Sequence, residues 1–481
     1  MIFNSYIFWV FFAVVFVLYR LLPHRGQNYM LLAASYIFYG YWDWRYLFLM
    51  LFSTVIDYFA AIGIGTSQSP RRRKAILIAS ICIQLSLLGM FKYYGFFSQE
   101  LSNMLTSFGL PAPLPVINFL LPVGISFYTF QTMSYVIDVY RGDFKYSKSF
   151  LDFALFVSFF PHLVAGPLVR AGKLIPQMRN PRVRRPEDFR EGLYHVAYGM
   201  FKKMFVGDNL AAIANAIFQT DPANLSGLEV VVGIYAFAFQ IYADFSGYSS
   251  IAQGVAKWLN VDLTTNFKLP YFAISPSDFW RRWHISLSTW FRDYVYIPLG
   301  GNRRGEWAMY RNLVITTTLS GLWHGANWTF ILWGLFHGLL ICIYRLFEGG
   351  EEKVPKEFKG TPEAAPALSL GGRLVRIALM FHLVCLGWLM FRAESMSQVS
   401  SMLYQMVSDF RVTPFALSGL AMIAFYAGPL MAYEFWLEMK HDLLKLTRIH
   451  WLVRGLAYSY CALMLWFFPP PVSNVFIYFQ F

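Results

Sequence analysis

Long runs of apolar residues, separated by short polar blocks, recur along the whole chain. A run of about 20 apolar residues can cross the hydrocarbon core of a bilayer as an α-helix. The pattern therefore predicts an all-α polytopic membrane protein with about eleven transmembrane helices. The predicted spans are residues 5–22, 29–40, 46–64, 75–97, 118–140, 228–250, 308–320, 324–345, 373–391, 414–438 and 451–468.

Basic residues concentrate in a few of the polar blocks. Residues 71–74 read RRRK, and residues 170–190 hold seven Arg or Lys against two acids. Loops rich in Lys and Arg stay in the cytoplasm, so the N- and C-termini are both predicted outside. The first apolar run has no basic residues before it and no small-residue cleavage site after it. It is therefore predicted to be an uncleaved span and not a signal peptide.

Several regions between the spans do not resemble continuous membrane helices. Residues 151–168 and 193–220 are broken by proline, glycine and an acid, and such breaks are tolerated at membrane depth only where protein or water covers the backbone. We predict re-entrant or tilted segments there. Residues 98–117, rich in Ser, Asn and Pro, are predicted to form an external loop, and residues 348–372 a mobile cytoplasmic loop.

The composition agrees with a membrane protein, since 57% of residues are hydrophobic and 14% are charged. The net charge of +13 does not indicate nucleic-acid binding, because the basic residues lie beside apolar runs, where they face anionic lipid. The four cysteines lie singly in apolar runs without CxxC spacing, so no metal site is predicted. No inverted internal repeat is visible in the sequence, which disfavours a secondary transporter.

Residues 275–307, SPSDFWRRWHISLSTWFRDYVYIPLGGNRRGEW, form the first candidate region for chemistry. Ser277 or Asp278 is a predicted N-cap for an amphipathic interfacial helix. At the 3.6-residue period of an α-helix, one face of this helix carries the apolar and aromatic residues Trp283, Leu287, Trp290 and Tyr294. The pattern alone is typical of an interfacial anchor.

Charged residues in the same region indicate a second role. Arg281 and Arg282 precede His284, and the GGNRRG turn that follows contains Arg303 and Arg304. A cationic rim beside a glycine-rich turn can receive a pyrophosphate. We therefore predict that these four arginines contact a phosphate-bearing ligand. Anchoring of lipid headgroups remains an equal alternative for any single arginine.

The stretch SGLWHGANWTFILWGLFHG, residues 320–338, places two histidines in an apolar segment without formal charge. Polar groups are costly inside a membrane, so an intramembrane histidine indicates either a function or a satisfied internal hydrogen bond. The neighbours distinguish the two rings. His324 lies between Gly321 and Gly325, where a substrate can approach, whereas His337 is more consistent with packing.

A second apolar stretch, FAFQIYADFSGYSSIAQG at residues 237–254, is too polar for a lipid-facing helix. Gln240, Asp244 and Ser246 are therefore predicted to line a cavity or a neighbouring helix. Trp323, an aromatic neighbour of His324, and Asn327, a polar neighbour, are assigned to the same predicted cavity.

Five motifs together resemble the membrane-bound O-acyltransferase family. They read LPVGISFYTFQTMSYVIDVYRGD, FPHLVAGPLVR, QIYADFSGYS, SDFWRRWHISLSTWFRDYVYIPLGGNR and GLWHGANWTFILWGLFHG. The resemblance covers residues 1–481 as one domain, with residues 348–372 unplaced, and is closest to a bacterial branch that acylates envelope polymers. It implies a location in the bacterial cytoplasmic membrane and a central channel open to both sides, with His324 near its middle. A second, more variable family position maps onto His284, which the resemblance implies is a catalytic residue as well.

The resemblance implies transfer of an acetyl group from cytoplasmic acetyl-CoA across the membrane, for O-acetylation of a secreted polysaccharide such as alginate. His324 would be the general base on the acceptor hydroxyl, because imidazole titrates near neutral pH. The absence of a G-x-S-x-G motif disfavours a serine nucleophile. Acetyl-CoA would be a substrate, and no cofactor would remain bound. The other implied partners are membrane lipids and an extracytoplasmic acetyltransferase that completes the transfer.

The sequence leaves other functions open. Peptidoglycan, cellulose and teichoic acid are alternative acceptors. A transporter would use the same cavity without breaking bonds, and a scaffold of an exopolysaccharide secretion complex would need no histidine.

The chain ends in PPPVSNVFIYFQF, and residues 469–481 are predicted to form an extracytoplasmic tail. Composition alone favours an aromatic belt at the outer interface. The tail also resembles a C-terminal aromatic motif of related envelope-acylation systems, in which a tyrosine is proposed to carry the acyl group. This resemblance implies that Tyr478 folds back towards His324, accepts an acetyl group and presents it to an external transferase.

Overall fold

The computed structural model describes residues 1–110, 121–164, 166–347, 369–470 and 476–477. All regular secondary structure in these ranges is helical, which confirms the all-α prediction. The α-helices are α1 (Tyr6–Leu21), α2 (His24–Asp43), α3 (Arg45–Thr66), α4 (Pro70–Leu88), α5 (Tyr94–Ser107), α6 (Ile125–Arg141), α7 (Phe150–Ser158), α8 (Phe160–Leu163), α9 (Ala171–Arg179), α10 (Pro186–Met200), α11 (Asp208–Phe218), α12 (Gly227–Trp258), α13 (Pro276–Arg282), α14 (Ile285–Phe291), α15 (Glu306–His324), α16 (Trp328–Phe347), α17 (Leu370–Arg392), α18 (Met396–Ser408), α19 (Pro414–Lys440) and α20 (Trp451–Phe467).

Six helical segments of the described ranges are long and apolar enough to cross a membrane. They are α3, the continuous segment Pro70–Ser107, α12, α16, α17 and α19. The protein is therefore a multi-pass membrane protein. The number differs from the predicted eleven because other predicted spans form shorter or more polar helices. Helix α1 has 16 residues, which at 1.5 Å per residue cover about 24 Å, less than the hydrocarbon core of about 30 Å.

The prediction of an external loop at residues 98–117 is wrong for its first half, because α5 continues to Ser107. Polar side chains on α5 bond back to helix carbonyls: Ser98 Oγ donates to Gly95 O at 3.0 Å, and Thr106 Oγ1 to Ser102 O at 2.9 Å. Serine and threonine content therefore does not end this helix. Residues 111–120 lie outside the described ranges.

The predicted mobile loop at residues 348–372 overlaps the described chain only at its end. Ser369 caps α17, which begins at Leu370, so the last three residues of the predicted loop are helical. The prediction for residues 348–368 falls outside the described ranges and stays a prediction.

Helix α12 lies at the centre of the fold, and most of its residues are buried. A capping box formed by Ser226 and Glu229 fixes its N-terminus. The helix packs closely against α10 at two glycine pairs: a Cβ on Gly199 would lie 2.7 Å from Gly247 O, and a Cβ on Gly254 would lie 2.6 Å from Gly192 O. Small residues that allow backbones to approach are typical of helix packing in membranes.

Both regions predicted to be interrupted are broken in the structure. Helix α7 is followed by the short α8, and a π-helical turn, Phe201–Gly207, separates α10 from α11. Side chains satisfy the freed backbone groups: Phe160 N donates to Ser35 Oγ at 3.1 Å, and Asn209 Nδ2 donates to Phe205 O at 3.0 Å. Protein atoms thus supply the cover that broken helices need at membrane depth.

The predicted continuous amphipathic helix after residue 275 is wrong. The structure has two seven-residue helices, α13 and α14, with a break at Trp283 and His284. His284 adopts a left-handed backbone with φ 42° and ψ 51°. The N-cap is Ser275, whose Oγ accepts from Asp278 N at 3.1 Å, and neither Ser277 nor Asp278 takes that position.

The aromatic face of this region packs inside the protein and does not face lipid. Trp283, Leu287 and Trp290 are all buried. Trp290 stacks on Phe130 with 3.9 Å between ring centroids, and its Nε1 donates to Phe130 O at 2.9 Å. The region is therefore an internal element and not an interfacial anchor.

Candidate active site

His324 is the last residue of α15, and close packing of α15 on α16 determines its position. A Cβ on Gly321 would overlap Phe330 O, and a Cβ on Gly334 would overlap Thr317 O. The two helix backbones can approach this closely only because both positions are glycine. The approach places the His324 ring 5.1 Å from the ring of Trp333 on α16.

The His324 side chain is buried in an aromatic pocket. Its ring centroid lies 5.0 Å from Trp323 and 5.3 Å from Phe391, in addition to Trp333. Two of these neighbours belong to other helices, α16 and α17. A polar ring is thus held in water-poor surroundings, where electrostatic interactions with a reacting group are strong.

Lys92, which the sequence analysis did not identify, holds the end of α15. Its Nζ donates to Trp323 O at 2.6 Å and to His324 O at 3.0 Å, and Tyr93 OH donates to Leu322 O at 3.0 Å. The last carbonyls of a helix have no intrahelical donors, and a cation there is favourable. One signal could have found this residue: Lys92 is the only charged residue in the apolar run 75–97.

His284 is the second histidine of the site. Its ring centroid lies 6.4 Å from that of His324 and 4.6 Å from Phe245 of α12. The structure therefore brings together two predicted site residues from α15 and from the break between α13 and α14.

The hydrogen bonds of Asn266 determine which nitrogen of His284 carries the proton. Asn266 Oδ1 accepts from Ser286 N at 3.3 Å, from Ser286 Oγ at 2.9 Å, and lies 3.1 Å from His284 Nδ1. Because this oxygen is an acceptor, His284 Nδ1 carries the hydrogen. In the neutral ring, the Nε2 atom of His284 therefore keeps its lone pair.

The predicted polar residues of α12 are buried, and the contacts of Asp244 and Ser246 are with other protein atoms. Asp244 Oδ1 lies 2.6 Å from Lys203 Nζ, and its Oδ2 accepts from Ile477 N at 2.7 Å. Ser246 O accepts from Lys202 Nζ at 3.1 Å. Gln240 is buried on the same helix. Their role in lining a substrate channel stays a prediction.

The four predicted phosphate-binding arginines divide into two environments. Arg282 is half-buried and forms ion pairs with Asp278 at 3.0 Å and with Glu438 at 2.9 Å. Arg281 is also half-buried. Arg303 and Arg304 are exposed on a turn that contains the three positive-φ glycines Gly300, Gly301 and Gly305. The exposed pair is accessible to a ligand, whereas Arg282 is engaged inside the protein.

The two remaining predicted site residues are Asn327 and Tyr478. Asn327 Oδ1 accepts from Thr329 N at 3.0 Å, and its Nδ2 donates to Glu394 O at 3.1 Å, so it connects the start of α16 to the end of α17. Tyr478 lies outside the described residues. In the described ranges no group of three or more His, Cys, Asp or Glu is placed to hold a metal ion.

Comparison of the sequence with known proteins assigns the chain to a family. The family model of membrane-bound O-acyltransferases matches residues 143–349, which contain both histidines of the site. The chain is 41% identical over 412 residues to the probable alginate O-acetylase AlgI of Pseudomonas aeruginosa, covering 85% of this chain and 75% of that protein. The chain belongs to the membrane-bound O-acyltransferase family. It is therefore an acyltransferase, as predicted from its motifs.

Two further relatives show the range of this family. The chain is 35% identical over 442 residues to the peptidoglycan O-acetyltransferase of Helicobacter pylori, covering 85% of this chain and 80% of that protein. It is 28% identical over 295 residues to the teichoic acid D-alanyltransferase of Bacillus subtilis, covering 59% and 70% respectively. The membrane-bound O-acyltransferase relatives thus include proteins named for three different acceptor polymers.

Proposed function

We propose that the protein transfers acetyl groups from cytoplasmic acetyl-CoA, across the membrane, for O-acetylation of a secreted polysaccharide such as alginate. The observation that carries this proposal is the buried pair of His284 and His324, 6.4 Å apart between ring centroids. Similarity to alginate O-acetylases over most of both chains supports the acetyl group and the polymer.

In the proposed reaction His324 is the general base. Its ring takes the proton of the acceptor hydroxyl while the oxygen attacks the thioester carbonyl of acetyl-CoA. The carbon–sulfur bond then breaks, and the leaving thiolate takes the proton back from the imidazolium, so that an ester and free CoA are formed. His284, whose Nε2 keeps a lone pair, orders the acceptor hydroxyl or the water that would otherwise compete with it.

The donor enters from the cytoplasm in this proposal. Arg303 and Arg304 are assigned to the phosphates of CoA, since both are exposed and lie on a glycine-rich turn. Arg281 is assigned to the same ligand. Arg282 is assigned a supporting role, because its guanidinium already pairs with Asp278 and Glu438.

On the acceptor side, Tyr478 is the proposed carrier of the acetyl group. The residues directly before it support this proposal: Phe476 and Ile477 are buried inside the protein and do not form a lipid-facing belt. Phe476 contacts Phe245 at 5.8 Å between ring centroids, and Phe245 contacts His284 at 4.6 Å. An extracytoplasmic transferase then moves the acetyl group to the polymer, with both chain termini outside the bacterial cytoplasmic membrane.

Peptidoglycan is the second candidate acceptor, because the Helicobacter pylori relative covers a similar share of the chain. The cleavage of acetyl-CoA and the acetylation of Tyr478 would be the same for both acceptors. Only the extracytoplasmic partner and the polymer it binds would differ.

The proposal is tested with purified protein in sealed vesicles and radiolabelled acetyl-CoA. We expect release of free CoA together with one acetyl group on the C-terminal peptide, detected by mass spectrometry, and no such group in Tyr478→Phe. Full labelling of Tyr478→Phe on another residue would overturn the tyrosine carrier. Transport of label without release of CoA would indicate a transporter, and neither release nor transport would indicate a scaffold.

A further inference from the structure

A cluster of three charged side chains lies inside the protein next to α12. Lys203 Nζ lies 2.8 Å from Asp208 Oδ1 and 2.6 Å from Asp244 Oδ1, and the three side chains are 1%, 2% and 5% exposed. Buried charges are costly even when they are paired, and inside a membrane they indicate a function. The acyl transfer proposed above uses neither Lys203 nor Asp208.

The π-helical turn between α10 and α11 creates this cluster. Lys203 lies within the turn and Asp208 follows it, five positions along the chain. In an α-helix of 3.6 residues per turn, side chains five positions apart point to nearly opposite faces. The i to i+5 hydrogen bonding of a π-helix brings both side chains to the same side, and π turns occur frequently at functional sites. Both side chains can therefore meet near Asp244.

The second oxygen of Asp244 binds the C-terminal segment of the chain. Asp244 Oδ2 accepts from the backbone N–H of Ile477 at 2.7 Å. Phe476 packs on Tyr248 with 4.5 Å between ring centroids, and both Phe476 and Ile477 are completely or almost completely buried. Lys203 engages one oxygen of the carboxylate and leaves the other directed at the tail.

The contact is close to the histidine site. Phe245 follows Asp244 on α12, and its ring contacts both Phe476, at 5.8 Å, and His284, at 4.6 Å. One aromatic residue thus separates the bound tail from the second histidine.

We propose that Lys203, Asp208 and Asp244 form a docking seat, the tail seat, that binds residues 476–477 and positions the C-terminal segment for acyl transfer. The inference rests on the proposed function of the tail and deepens it. Asp208 holds the Lys203 ammonium in place, Lys203 orients the Asp244 carboxylate, and that carboxylate accepts a hydrogen bond from the tail backbone. These residues are positioning residues, since they act on the tail and not on the reacting atoms.

Accessibility of the tail tests this inference directly. The change Ile477→Cys is made in a chain whose four native cysteines are replaced, and the rate of maleimide labelling is measured in detergent without substrate. The site is 1% exposed, so labelling is expected to be slow. Asp244→Asn and Lys203→Met are each expected to raise the rate about tenfold or more, the ratio expected for loss of one charge-assisted hydrogen bond.

Matched controls separate docking from general destabilisation. Glu434→Gln changes another fully buried carboxylate, whose Oε1 accepts from Tyr198 OH and Tyr242 OH instead of from the tail backbone. It is expected to leave labelling at position 477 unchanged. Tyr6→Cys, at a site 79% exposed, is expected to react equally fast in every background.

A second experiment links the tail seat to transfer. In the full chain, Asp244→Asn is expected to reduce acetyl transfer.

Two results would overturn the inference. One is unchanged labelling at position 477 in both Asp244→Asn and Lys203→Met, and the other is increased labelling with acetyl transfer at the wild-type rate. Failure of the proposed function is distinguishable, since the labelling experiment contains no acetyl-CoA and does not depend on Tyr478.

Discussion

The rings of His284 and His324 are buried neighbours, with 6.4 Å between their centroids and 59° between their planes. The two residues come from different elements: His284 lies at the break between α13 and α14, and His324 ends α15. An acceptor oxygen that enters between the rings would have to come within about 3 Å of a ring nitrogen for proton transfer. This relationship, and not either histidine alone, distinguishes the site from a packed core.

The left-handed backbone of His284 allows its ring to be tested without damage to the fold. His284→Asn keeps a residue type that tolerates φ 42°, whereas His284→Ala adds strain of about 1 kcal/mol. Both variants are expected to lose about a hundredfold in transfer rate, and only the alanine variant is expected to show a clearly lower melting temperature. Wild-type transfer by His284→Asn would remove this residue from the mechanism.

Lys92 is expected to support the site by holding the C-terminal end of α15 in place. Lys92→Met removes the donor to the carbonyls of Trp323 and His324, and should cost about 1.5–3 kcal/mol of stability. Because the carbonyls orient His324, kcat is expected to fall while KM for acetyl-CoA stays the same. Lys74→Met, at an exposed lysine of the same continuous segment, is the control. Equal effects of the two changes on kcat and stability would contradict the role of Lys92.

The glycine contacts between α10 and α12 predict a stability difference. Gly199→Ala would place a methyl group 2.7 Å from Gly247 O and is expected to destabilise the protein by about 1–3 kcal/mol. Gly455→Ala on α20 meets nothing within 4 Å and is expected to be neutral or stabilising by up to about 1 kcal/mol. Thermal unfolding in detergent measures both. A melting temperature of Gly199→Ala at or above that of Gly455→Ala would show that the close packing is not essential.

Substitutions of the predicted phosphate-binding arginines are expected to produce two different phenotypes. Charge reversal at Arg303 and Arg304 should raise KM for acetyl-CoA and leave the melting temperature unchanged, because both are exposed. Arg282→Glu should lower the melting temperature, since it places a third carboxylate beside Asp278 and Glu438. Steady-state kinetics and thermal unfolding together provide the test. Unchanged donor KM in the Arg303 and Arg304 variants would assign them to lipid headgroups.

The sequence predicted the helical class and the interrupted regions, and it singled out both histidines that the structure brings together, because hydrophobic runs and glycine-flanked polar residues are local signals. It did not predict the break at His284, since the 3.6-residue period of the apolar face continues through it. The break depends on Asn266, whose backbone oxygen accepts from Ile285 N at 2.9 Å and whose side chain accepts from Ser286 N at 3.3 Å. These tertiary bonds replace intrahelical ones, and periodicity contains no information about them.

The contacts of Lys92 and of the Lys203 cluster were also missed, because they join residues far apart in the sequence and periodicity contains no information about them. Lys92 binds carbonyls more than two hundred positions away, with a sequence separation of 231 for Trp323 O. The buried Ile477 donates its backbone N–H to Asp244 Oδ2 across a sequence separation of 233. An aromatic tail has the same composition whether it faces lipid or the protein interior, so composition favoured the belt at the interface.

His324 is the residue proposed to perform the chemistry, and a comparison of two variants tests this role. His324→Ala and His337→Ala each remove a buried imidazole, 3% and 1% exposed, from neighbouring helices, so both should leave similar cavities. Release of CoA and acetylation of the C-terminal peptide are measured on purified, monodisperse protein. We expect His324→Ala to retain less than about 1% of wild-type transfer, and His337→Ala to stay within a few-fold of wild type. Near-normal transfer by a folded His324→Ala protein would contradict this role.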